Sequence, residues 1–387
     1  MAALQTHSPP RSAYVHVPFC QHRCGYCNFT LVAGRDDLIT AYLDAIEREL
    51  ATVDGPAEVD TLYFGGGTPT HLPPAALERL LDSVLGTFPL TGNAAASSAE
   101  VTVEANPADL DAARMRVLAT YGVNRISLGA QSFNPTKLQT LERNHVAGDI
   151  AAAVQLARSA NCQVAIDLIF AAPGETMSDW LADLDAAIAL EPEHISTYGL
   201  TFEHGTSFWT RREKQDLIEV DEEPQRDMYL AAIDRLTAAG FEHYEVSNFA
   251  RPGHRSRHNQ VYWTGAAYHA IGPGAARYLR GRRETNHRST TTYIRRMLAG
   301  ESPVAESEQL TGEDAARERL IFALRRLEGI DTKEFAAETG YDVDALVPGK
   351  LESHLAAGRL SREGTRLRLT REGLLVSDAI WTDFLQV

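Results

Sequence analysis

Three of the four cysteines in this 387-residue chain lie within eight residues of one another. They are Cys20, Cys24 and Cys27, and their spacing is C-x3-C-x2-C. Thiolates on one loop are typical ligands of iron–sulfur clusters, and a [4Fe–4S] cube normally takes four of them. Three thiolates would therefore leave one iron open to a chelating small molecule. Cys162 stands alone beside an apolar run and is expected to be a small buried side chain.

Structural zinc is the main alternative for these thiols. Such sites use four Cys or His ligands, and the cysteines often come in two separated pairs. His16 and His22 are close in sequence, but no second C-x2-C pair follows. The pattern therefore favours a cluster over zinc.

Short β-type runs alternate with amphipathic helical patterns from residue 13 to about residue 249. Repeated βα units with right-handed crossovers build a parallel sheet, and six or more such units favour a full or partial TIM-type (β/α) barrel. The first unit lacks a G-x-G-x-x-G fingerprint, which argues against an open dinucleotide-binding sheet. The predicted strands are 13–18, 59–64, 100–104, 124–128, 163–170, 194–200 and 241–246. The predicted helices are 38–50, 75–85, 109–120, 149–160 and 178–190.

A different pattern begins after about residue 306. It predicts three helices and a hairpin, which together resemble a small winged-helix-like α+β module; these elements are 313–327, 332–338, 345–357 and 360–370. Stretches 206–223 and 252–283 are expected to be a polar connection and a loop with little regular structure. The expected division is a barrel domain over 1–249, a connecting segment rich in His, Arg and aromatic residues over 250–305, and the C-terminal module over 306–387.

The composition is that of an ordinary globular protein, with 44% hydrophobic and 23% charged residues. The net charge of −15 argues against nucleic-acid binding and allows at most peripheral contact with an anionic membrane. No run of 18 apolar residues occurs, and the first residues contain no apolar signal segment. A cytoplasmic protein is therefore expected.

Polar groups recur where the predicted strands end, and barrel enzymes assemble their sites at the C-terminal ends of strands. The first strand leads into the cysteines, and the second leads into Gly65-Gly66-Gly67-Thr68. Glu104 ends the third, Gln131 follows the fourth, and Asp167 lies within the apolar fifth. A carboxylate among apolar residues is costly without a partner. These residues therefore predict one shared site.

The cysteine spacing, with Tyr26 before the last cysteine, resembles the radical S-adenosylmethionine (SAM) superfamily. Three runs extend the resemblance to the HemW family: YVHVPFC over 14–20, GGGTPT over 65–70 and HNQVYW over 258–263. The likeness covers essentially the whole chain. It implies a radical SAM partial barrel with a HemN/HemW-type C-terminal module.

The resemblance also implies cofactors. It places a [4Fe–4S] cluster on the three cysteines and SAM on the open iron, where a reduced cluster passes one electron to the sulfonium. The positions that match SAM contacts of the family are Tyr14, Tyr26, Gly66, Gly67, Thr68, Glu104, Gln131, Arg143 and Asp167. Whether Arg143 pairs with the SAM carboxylate or with Glu104 stays open, as does productive cleavage of SAM.

Two departures separate the chain from the related oxygen-independent coproporphyrinogen-III oxidases. Those enzymes continue the cluster motif with a fourth cysteine, where this chain has Phe29. They also carry a longer arm before the cluster, whereas nineteen residues precede Cys20 here. Both departures argue against porphyrinogen decarboxylation and agree with HemW.

The HNQVYW run is the second signal for the HemW family. Haem sites use an axial ligand such as His together with apolar surroundings, and the propionates attract cations. His254, Arg251, Arg255 and Arg257 lie just before this run. A solvated basic loop would have the same composition. The resemblance favours haem, and the candidate residues are His258, Asn259, Tyr262 and Trp263.

The resemblance implies a haem chaperone. Haem would be its cargo, and haem-accepting proteins, such as respiratory or bacterioferritin-like ones, would be its partners. A homodimer is compatible with this expectation. The alternative is a radical SAM enzyme, either a coproporphyrinogen-III oxidase or a HemN-like methyltransferase or cyclopropane-forming enzyme.

Overall fold

The computed structural model describes residues 9–92 and 99–385. The strands are β1 (Ser12–Val17), β2 (Phe19–Cys20), β3 (Val32–Ala33), β4 (Thr61–Gly66), β5 (Glu100–Ala105), β6 (Arg125–Gln131), β7 (Gln163–Phe170), β8 (His194–Gly199), β9 (Glu242–Glu245), β10 (Asn248–Ala250), β11 (His269–Ile271), β12 (Ala276–Leu279), β13 (Arg282–Asn286), β14 (Val304–Gln309), β15 (Ile330–Asp331), β16 (Leu360–Glu363) and β17 (Arg366–Leu369). The α-helices are α1 (Ile39–Leu50), α2 (Pro74–Thr87), α3 (Ala112–Thr120), α4 (Pro135–Thr140), α5 (Ala147–Ser159), α6 (Met177–Ala189), α7 (Ser207–Glu213), α8 (Glu222–Ala238), α9 (Arg257–Trp263), α10 (Thr290–Leu298), α11 (Gly312–Leu324), α12 (Thr332–Thr339), α13 (Val343–Leu346), α14 (Lys350–Ala356), α15 (Arg371–Leu374) and α16 (Ser377–Leu385).

The main sheet has the strand order β11-β1-β4-β5-β6-β7-β8-β10-β9. The pairs from β11 to β8 are parallel, whereas β10 is antiparallel to both of its neighbours, β8 and β9. Strands β11 and β9 are the two edges among the described residues, so the predicted barrel is partial. Helices between the parallel strands cover its outer face, as βα crossovers require.

Side chains alternate between the two faces of the barrel strands. In β6, Ile126 and Leu128 are fully buried in the core, whereas Arg125, Ser127 and Gln131 face an interior cavity. Branched apolar side chains usually fill the interior of a TIM-type barrel. The polar interior of this barrel therefore indicates a binding cavity.

The segment over 252–283 is more regular than predicted. It contains α9 and β12, and its strand β11 pairs with β1 through Ala13 and His269. Ser256 caps the N-terminus of α9, because its hydroxyl accepts the backbone N–H of Asn259. The main sheet thus continues beyond residue 249, where the first predicted part ends. The polar connection predicted over 206–223 also contains a helix, α7.

The C-terminal residues form the predicted α+β module. Its three-stranded sheet has the order β15-β17-β16, and α11 contacts both α9 and α16. The helix predicted over 345–357 is divided into α13 and α14, because Gly349 adopts a left-handed conformation with φ of 72° between them. Apolar side chains of the module belong to the same core as those of the barrel. None of the described helices combines the length and apolar character needed to cross a membrane.

Candidate functional site

A cavity of about 530 Å³ opens at the C-terminal ends of the barrel strands and extends down into the barrel. The sequence-predicted residues that line it are Cys20, Cys24, Cys27, Tyr26, Gly66, Gly67, Thr68, Glu104, Gln131, Arg143, Asp167 and Asn259. Tyr14 lies behind this lining and stacks on Tyr63, a lining residue, with 6.1 Å between ring centroids. His258, Tyr262 and Trp263 are also outside the lining.

The cysteines lie on the loop that follows β1. A turn in which the Cys27 N–H donates to the Cys24 carbonyl at 3.0 Å shapes this loop. The Cys20 thiol lies 3.4 Å from the Thr68 hydroxyl, and the Arg143 guanidinium donates to the Cys24 sulfur at 3.6 Å. Burial raises the pKa of the Cys20 thiol to about 11 and also raises that of Cys27. Metal binding must therefore displace protons from these thiols.

The arrangement of the thiols is compatible with a cluster. Among residues 9–92 and 99–385, no three His, Cys, Asp or Glu side chains converge as ligands of a single metal ion must. A [4Fe–4S] cube presents a separate iron to each thiolate, so its ligands do not converge on one atom. Three free thiols on the wall of one cavity fit a cube, which Cys20, Cys24 and Cys27 would hold with one iron left for another ligand.

The glycine loop after β4 fixes the start of the cysteine loop. The Gly67 N–H donates to the Val17 carbonyl, and the Thr68 N–H donates to the Phe19 carbonyl, both at 2.8 Å. Gly66 has φ of 115°, a conformation that residues with a Cβ rarely adopt. A Cβ on Gly67 would lie 2.7 Å from the Phe19 carbonyl oxygen. The glycines are therefore required by close packing of two loops.

Glu104 is buried at the end of β5. It accepts hydrogen bonds from the Tyr63 hydroxyl at 2.8 Å and from the Gly66 N–H at 2.9 Å. Burial raises the pKa of the Glu104 carboxyl to about 7. Asp167 accepts a hydrogen bond from the Ser127 hydroxyl at 3.1 Å, and burial raises its pKa as well. Both acids thus have protein donors in the cavity wall.

Arg143 binds the end of β6. Its guanidinium donates to the Gly129 carbonyl at 2.9 Å and to the Asn106 side chain at 3.2 Å, while its buried Nε has no protein partner. The sequence left open whether Arg143 pairs with the SAM carboxylate or with Glu104. Arg143 lies beside Cys24 and makes no hydrogen bond to Glu104, and these contacts do not choose between the two roles. Gln131 has a positive φ of 62° and lies where the pairing of β6 with β7 is interrupted by a bulge.

Helix α7 covers the cysteine loop, a contact that the sequence did not predict. The Phe208 N–H donates to the Gly25 carbonyl at 2.8 Å, and the buried Phe208 ring packs edge-on against Tyr26. A Cβ on Gly25 would lie 2.4 Å from that ring. Glu142 bridges the two segments through His22 at 3.6 Å and Arg211 at 3.3 Å. The helix therefore shields one side of the candidate cluster site.

Phe29 stands at the mouth of the cavity. Its side chain is 60% exposed, although it is large and apolar, and it is among the lining residues. Tyr198, at the end of β8, is 44% exposed and lines the same cavity. The mouth thus offers two aromatic rings to a ligand.

Helix α9, which carries the HNQVYW run, closes the opposite end of the cavity. The Glu100 carboxylate, at the start of β5, accepts the backbone N–H groups of Arg257 and His258, each at 2.9 Å. His258 is only 1% exposed and stacks on Tyr63 with 5.0 Å between centroids. Ser256 and Asn259 line the cavity. The run therefore forms a floor beneath the barrel, where a solvated basic loop was the alternative.

Both ring nitrogens of His258 have partners. Nδ1 lies 2.9 Å from the Thr61 hydroxyl, and Nε2 lies 2.9 Å from the Tyr262 hydroxyl. The Thr61 hydroxyl donates its hydrogen to Ser12, so it accepts from Nδ1–H, and Nε2 carries the lone pair. Burial lowers the pKa of His258 to about 3, so the ring is neutral. Trp263 instead contacts the C-terminal module, where Arg325 lies 4.5 Å from its ring centroid.

Comparison with known proteins extends this picture. The Radical SAM superfamily matches residues 14–187, and the HemN C-terminal domain matches residues 310–376. The solved structure of coproporphyrinogen III oxidase (HemN) from Escherichia coli aligns with a TM-score of 0.86, covering 98% of this chain and 92% of that one. At 23% identity this likeness establishes the fold alone.

Full-length relatives carry the family assignment. The protein named heme chaperone HemW from Bacillus subtilis is 32% identical over 97% of this chain and 99% of its own length. Proteins of that name from Mycobacterium tuberculosis H37Rv and Escherichia coli K12 are 36% and 34% identical, over 96% and 97% of this chain and 94% and 98% of their own lengths. Their extent includes the cysteine loop, the barrel, α9 and the C-terminal module. The chain therefore belongs to the HemW family of radical SAM proteins.

Proposed function

We propose that this protein is a haem chaperone that binds haem together with a SAM-ligated [4Fe–4S] cluster and transfers haem to haem-dependent proteins, such as respiratory ones. The observation that carries the proposal is one cavity with the three cysteines at its rim and the HNQVYW helix as its floor. The names of the full-length relatives support haem as the cargo. Phe29, in place of a fourth cysteine, supports a chaperone over the oxidase.

Cys20, Cys24 and Cys27 would hold the cluster, and the remaining iron would bind SAM. A bound, reduced cluster would supply one electron for cleavage of the sulfonium. The residues proposed to contact SAM are Tyr26, Gly66, Gly67, Thr68, Glu104, Gln131, Arg143 and Asp167 in the lining, and Tyr14 behind it. The chain would orient SAM with these groups and would exclude water beneath α7.

Glu104 is expected to make SAM binding depend on pH. Its pKa of about 7 means that the carboxyl ionises between pH 6 and 7.5, and an ionised carboxylate attracts the cationic sulfonium and ammonium groups. Affinity should rise over this interval by at most about eightfold, the increase in the ionised fraction of one such group. Titration calorimetry on anaerobically reconstituted protein would measure the rise. Glu104→Gln should abolish the dependence, and an unchanged slope in that variant would contradict the assignment.

One experiment tests the proposed function against the oxidase alternative. Anaerobically reconstituted protein would receive haem in one arm, and coproporphyrinogen III with SAM and a reductant in the other. Tight haem uptake, followed by transfer to a haem-free acceptor and without porphyrinogen turnover, is the expected result. Vigorous turnover of porphyrinogen would reject the chaperone proposal.

His258 is the proposed axial ligand, and its contacts allow a sharper test. The Nε2 lone pair accepts the Tyr262 hydroxyl, so an iron bond at Nε2 would replace that hydrogen bond. His258→Ala should abolish haem uptake measured by absorbance, whereas Tyr262→Phe removes only the competing hydroxyl and should preserve or strengthen uptake. Circular dichroism must show both variants folded, because His258 is buried. Equal uptake by wild type and a folded His258→Ala would exclude this ligand.

A further inference from the structure

The lower part of the cavity is lined by residues that neither the cluster nor the proposed SAM contacts use. Register pairs Tyr63 with Thr102, Thr102 with Arg125, and Arg125 with Gln163 across β4, β5, β6 and β7. The first three of these side chains line the cavity and form its lowest layer, near the α9 floor. His194 also lines the cavity from β8, where it opposes Ala165.

Arg125 is a buried cation without a carboxylate partner. The residue is 2% exposed, and an arginine guanidinium is a cation with five N–H donors and no acceptor. Within the described part of the chain, no Asp or Glu oxygen lies within 4 Å of it. Its hydrogen bonds are long and come from Nη1 alone, to the Gln163 side chain at 3.3 Å and the His254 carbonyl at 3.2 Å. A buried charge of this kind calls for an anionic partner.

Two neighbours of Arg125 are also unsatisfied. The Thr102 hydroxyl is buried and has no hydrogen-bond partner in the described residues. The His194 ring has an unpaired Nδ1, while its Nε2 lies 2.8 Å from the Tyr244 hydroxyl. The Tyr244 oxygen accepts the Ser256 N–H, and the described residues offer its own hydrogen no acceptor other than His194 Nε2. The arrangement that satisfies the Tyr244 hydroxyl therefore has the His194 hydrogen on Nδ1. The lowest part of the cavity thus has donors without acceptors.

We propose that Arg125, Thr102 and His194 form a carboxylate-binding subsite at the bottom of the barrel cavity. The carboxylate belongs either to the propionate arm of a tetrapyrrole or to a free small acid. The first source rests on the proposed haem function, whereas the second does not. A carboxylate would supply several acceptor lone pairs to donors that have none, and its charge would neutralise Arg125.

The acids in the same cavity are compatible with this subsite. Glu104 is one layer above Thr102 on its strand and already accepts two protein hydrogen bonds, and Asp167 is a layer higher again and accepts the Ser127 hydroxyl. Among the described residues neither forms an ion pair with Arg125 within 4 Å, although Asp167 interacts with the Arg125 charge at longer range. Their charges would disfavour an anion near the rim and favour one beside Arg125 at the bottom of the cavity.

The test uses full-length protein reconstituted with cluster and SAM. Binding of [1-13C]propionate would be followed by NMR, with propionamide as the neutral analogue. Arg125→Gln should weaken propionate binding by about tenfold or more, the usual effect of losing a charge-assisted hydrogen bond. Arg282→Gln, at an exposed residue of β13, is the matched control and should leave binding unchanged. Equal binding of propionate and propionamide, or equal binding to wild type and Arg125→Gln, would overturn the subsite as a site for free acids.

A second variant guards against misfolding of Arg125→Gln. Thr102→Val keeps the shape of the side chain and removes a hydroxyl that has no protein partner, so it should fold at least as stably as wild type. It should nevertheless bind propionate several-fold more weakly. Undiminished propionate binding in this folded variant would remove Thr102 from the subsite.

The tetrapyrrole source is tested with haem and haem dimethyl ester. If a propionate arm occupies the subsite, the ester should bind about tenfold more weakly to wild type, and the difference should vanish in Arg125→Gln. Equal uptake of acid and ester by wild type, without propionate binding, would overturn the inference while leaving the haem function intact. Propionate binding without any haem uptake would have the opposite meaning, because the subsite would stand and the haem function would fail.

Discussion

Replacing Cys24 with Ser is expected to abolish the iron–sulfur cluster. Cys24 contributes one of three thiols to the cavity wall, and the chain has no spare thiol nearby, because Cys162 is buried elsewhere in the core. A serine hydroxyl is a much poorer ligand for iron than a thiolate. Reconstituted wild type should contain about four iron atoms per chain. Cys24→Ser should contain far less iron and should lack the brown absorbance of the cluster.

Cys162→Ala is the matched control for this prediction. Cys162 lies at the start of β7, where its thiol donates to the Val123 carbonyl at 3.2 Å, far along the chain from the cysteine loop. The control should retain full iron content with a modest loss of stability. A brown, iron-loaded Cys24→Ser protein would refute the assignment of the three cysteines.

Gly66→Ala is expected to destroy the proposed SAM site. At φ of 115° an alanine is strained by about 1–3 kcal/mol. Its Cβ would also lie 2.5 Å from the His16 ring. That ring cannot move freely, because it bonds the Thr30 carbonyl at 2.7 Å and the Tyr14 hydroxyl at 2.9 Å. The Gly66 N–H would then lose its position on Glu104, and SAM affinity measured by calorimetry should fall by about tenfold or more.

Gly86→Ala is the matched control, because it makes the same substitution at a position with space for the added methyl group. Gly86 lies in α2, has no neighbouring atom within 4 Å of its missing Cβ, and has no positive φ. Alanine is the better helix former, so this control should gain up to about 1 kcal/mol of stability. SAM affinity should be unchanged in the control. Normal SAM binding by Gly66→Ala would show that the loop can deform and that its glycines are not required.

The barrel was predictable because its strands carry strong local patterns. The predicted strand over 163–170 has the same bounds as β7. A mostly apolar run of strand length can be placed in the sequence in only one way. Helices such as α1 and α6 were placed within one residue at each end, because their apolar faces pack on the sheet with helical spacing. Their bounds follow from local sequence and from one packing surface.

The missed elements depend on contacts between distant parts of the chain. Helix α7 has seven residues, and its buried Phe208 packs on the cysteine loop, about 180 residues earlier, away from the sheet. Helix α9 is held by Glu100 from a distant strand. Ser256 is a typical helix-capping residue, but the seven residues of α9 are mostly polar and show no helical repeat of apolar side chains. Tertiary partners decide both helices.

The candidate site was predictable at its rim and less so at depth. Polar residues at strand ends, such as Glu104 and Gln131, stand out because strand ends are where barrels carry chemistry. Arg125 and His194 are the first residues of their strands. A polar residue at a strand end is common, because strand ends are often exposed to solvent. Only the closure of the barrel by α9 turns these positions inward to a cavity.

The position of β11 affects how the protein can be made. This strand pairs with β1, so Ala13 meets a partner, His269, that the ribosome adds about 250 residues later. The floor helix α9 is synthesised only slightly earlier. During translation the cysteine loop therefore emerges long before the cavity that encloses it can close. Cluster insertion into a nascent chain would occur on an open, solvent-accessible loop, whereas insertion into the released protein must proceed through the mouth beside Phe29.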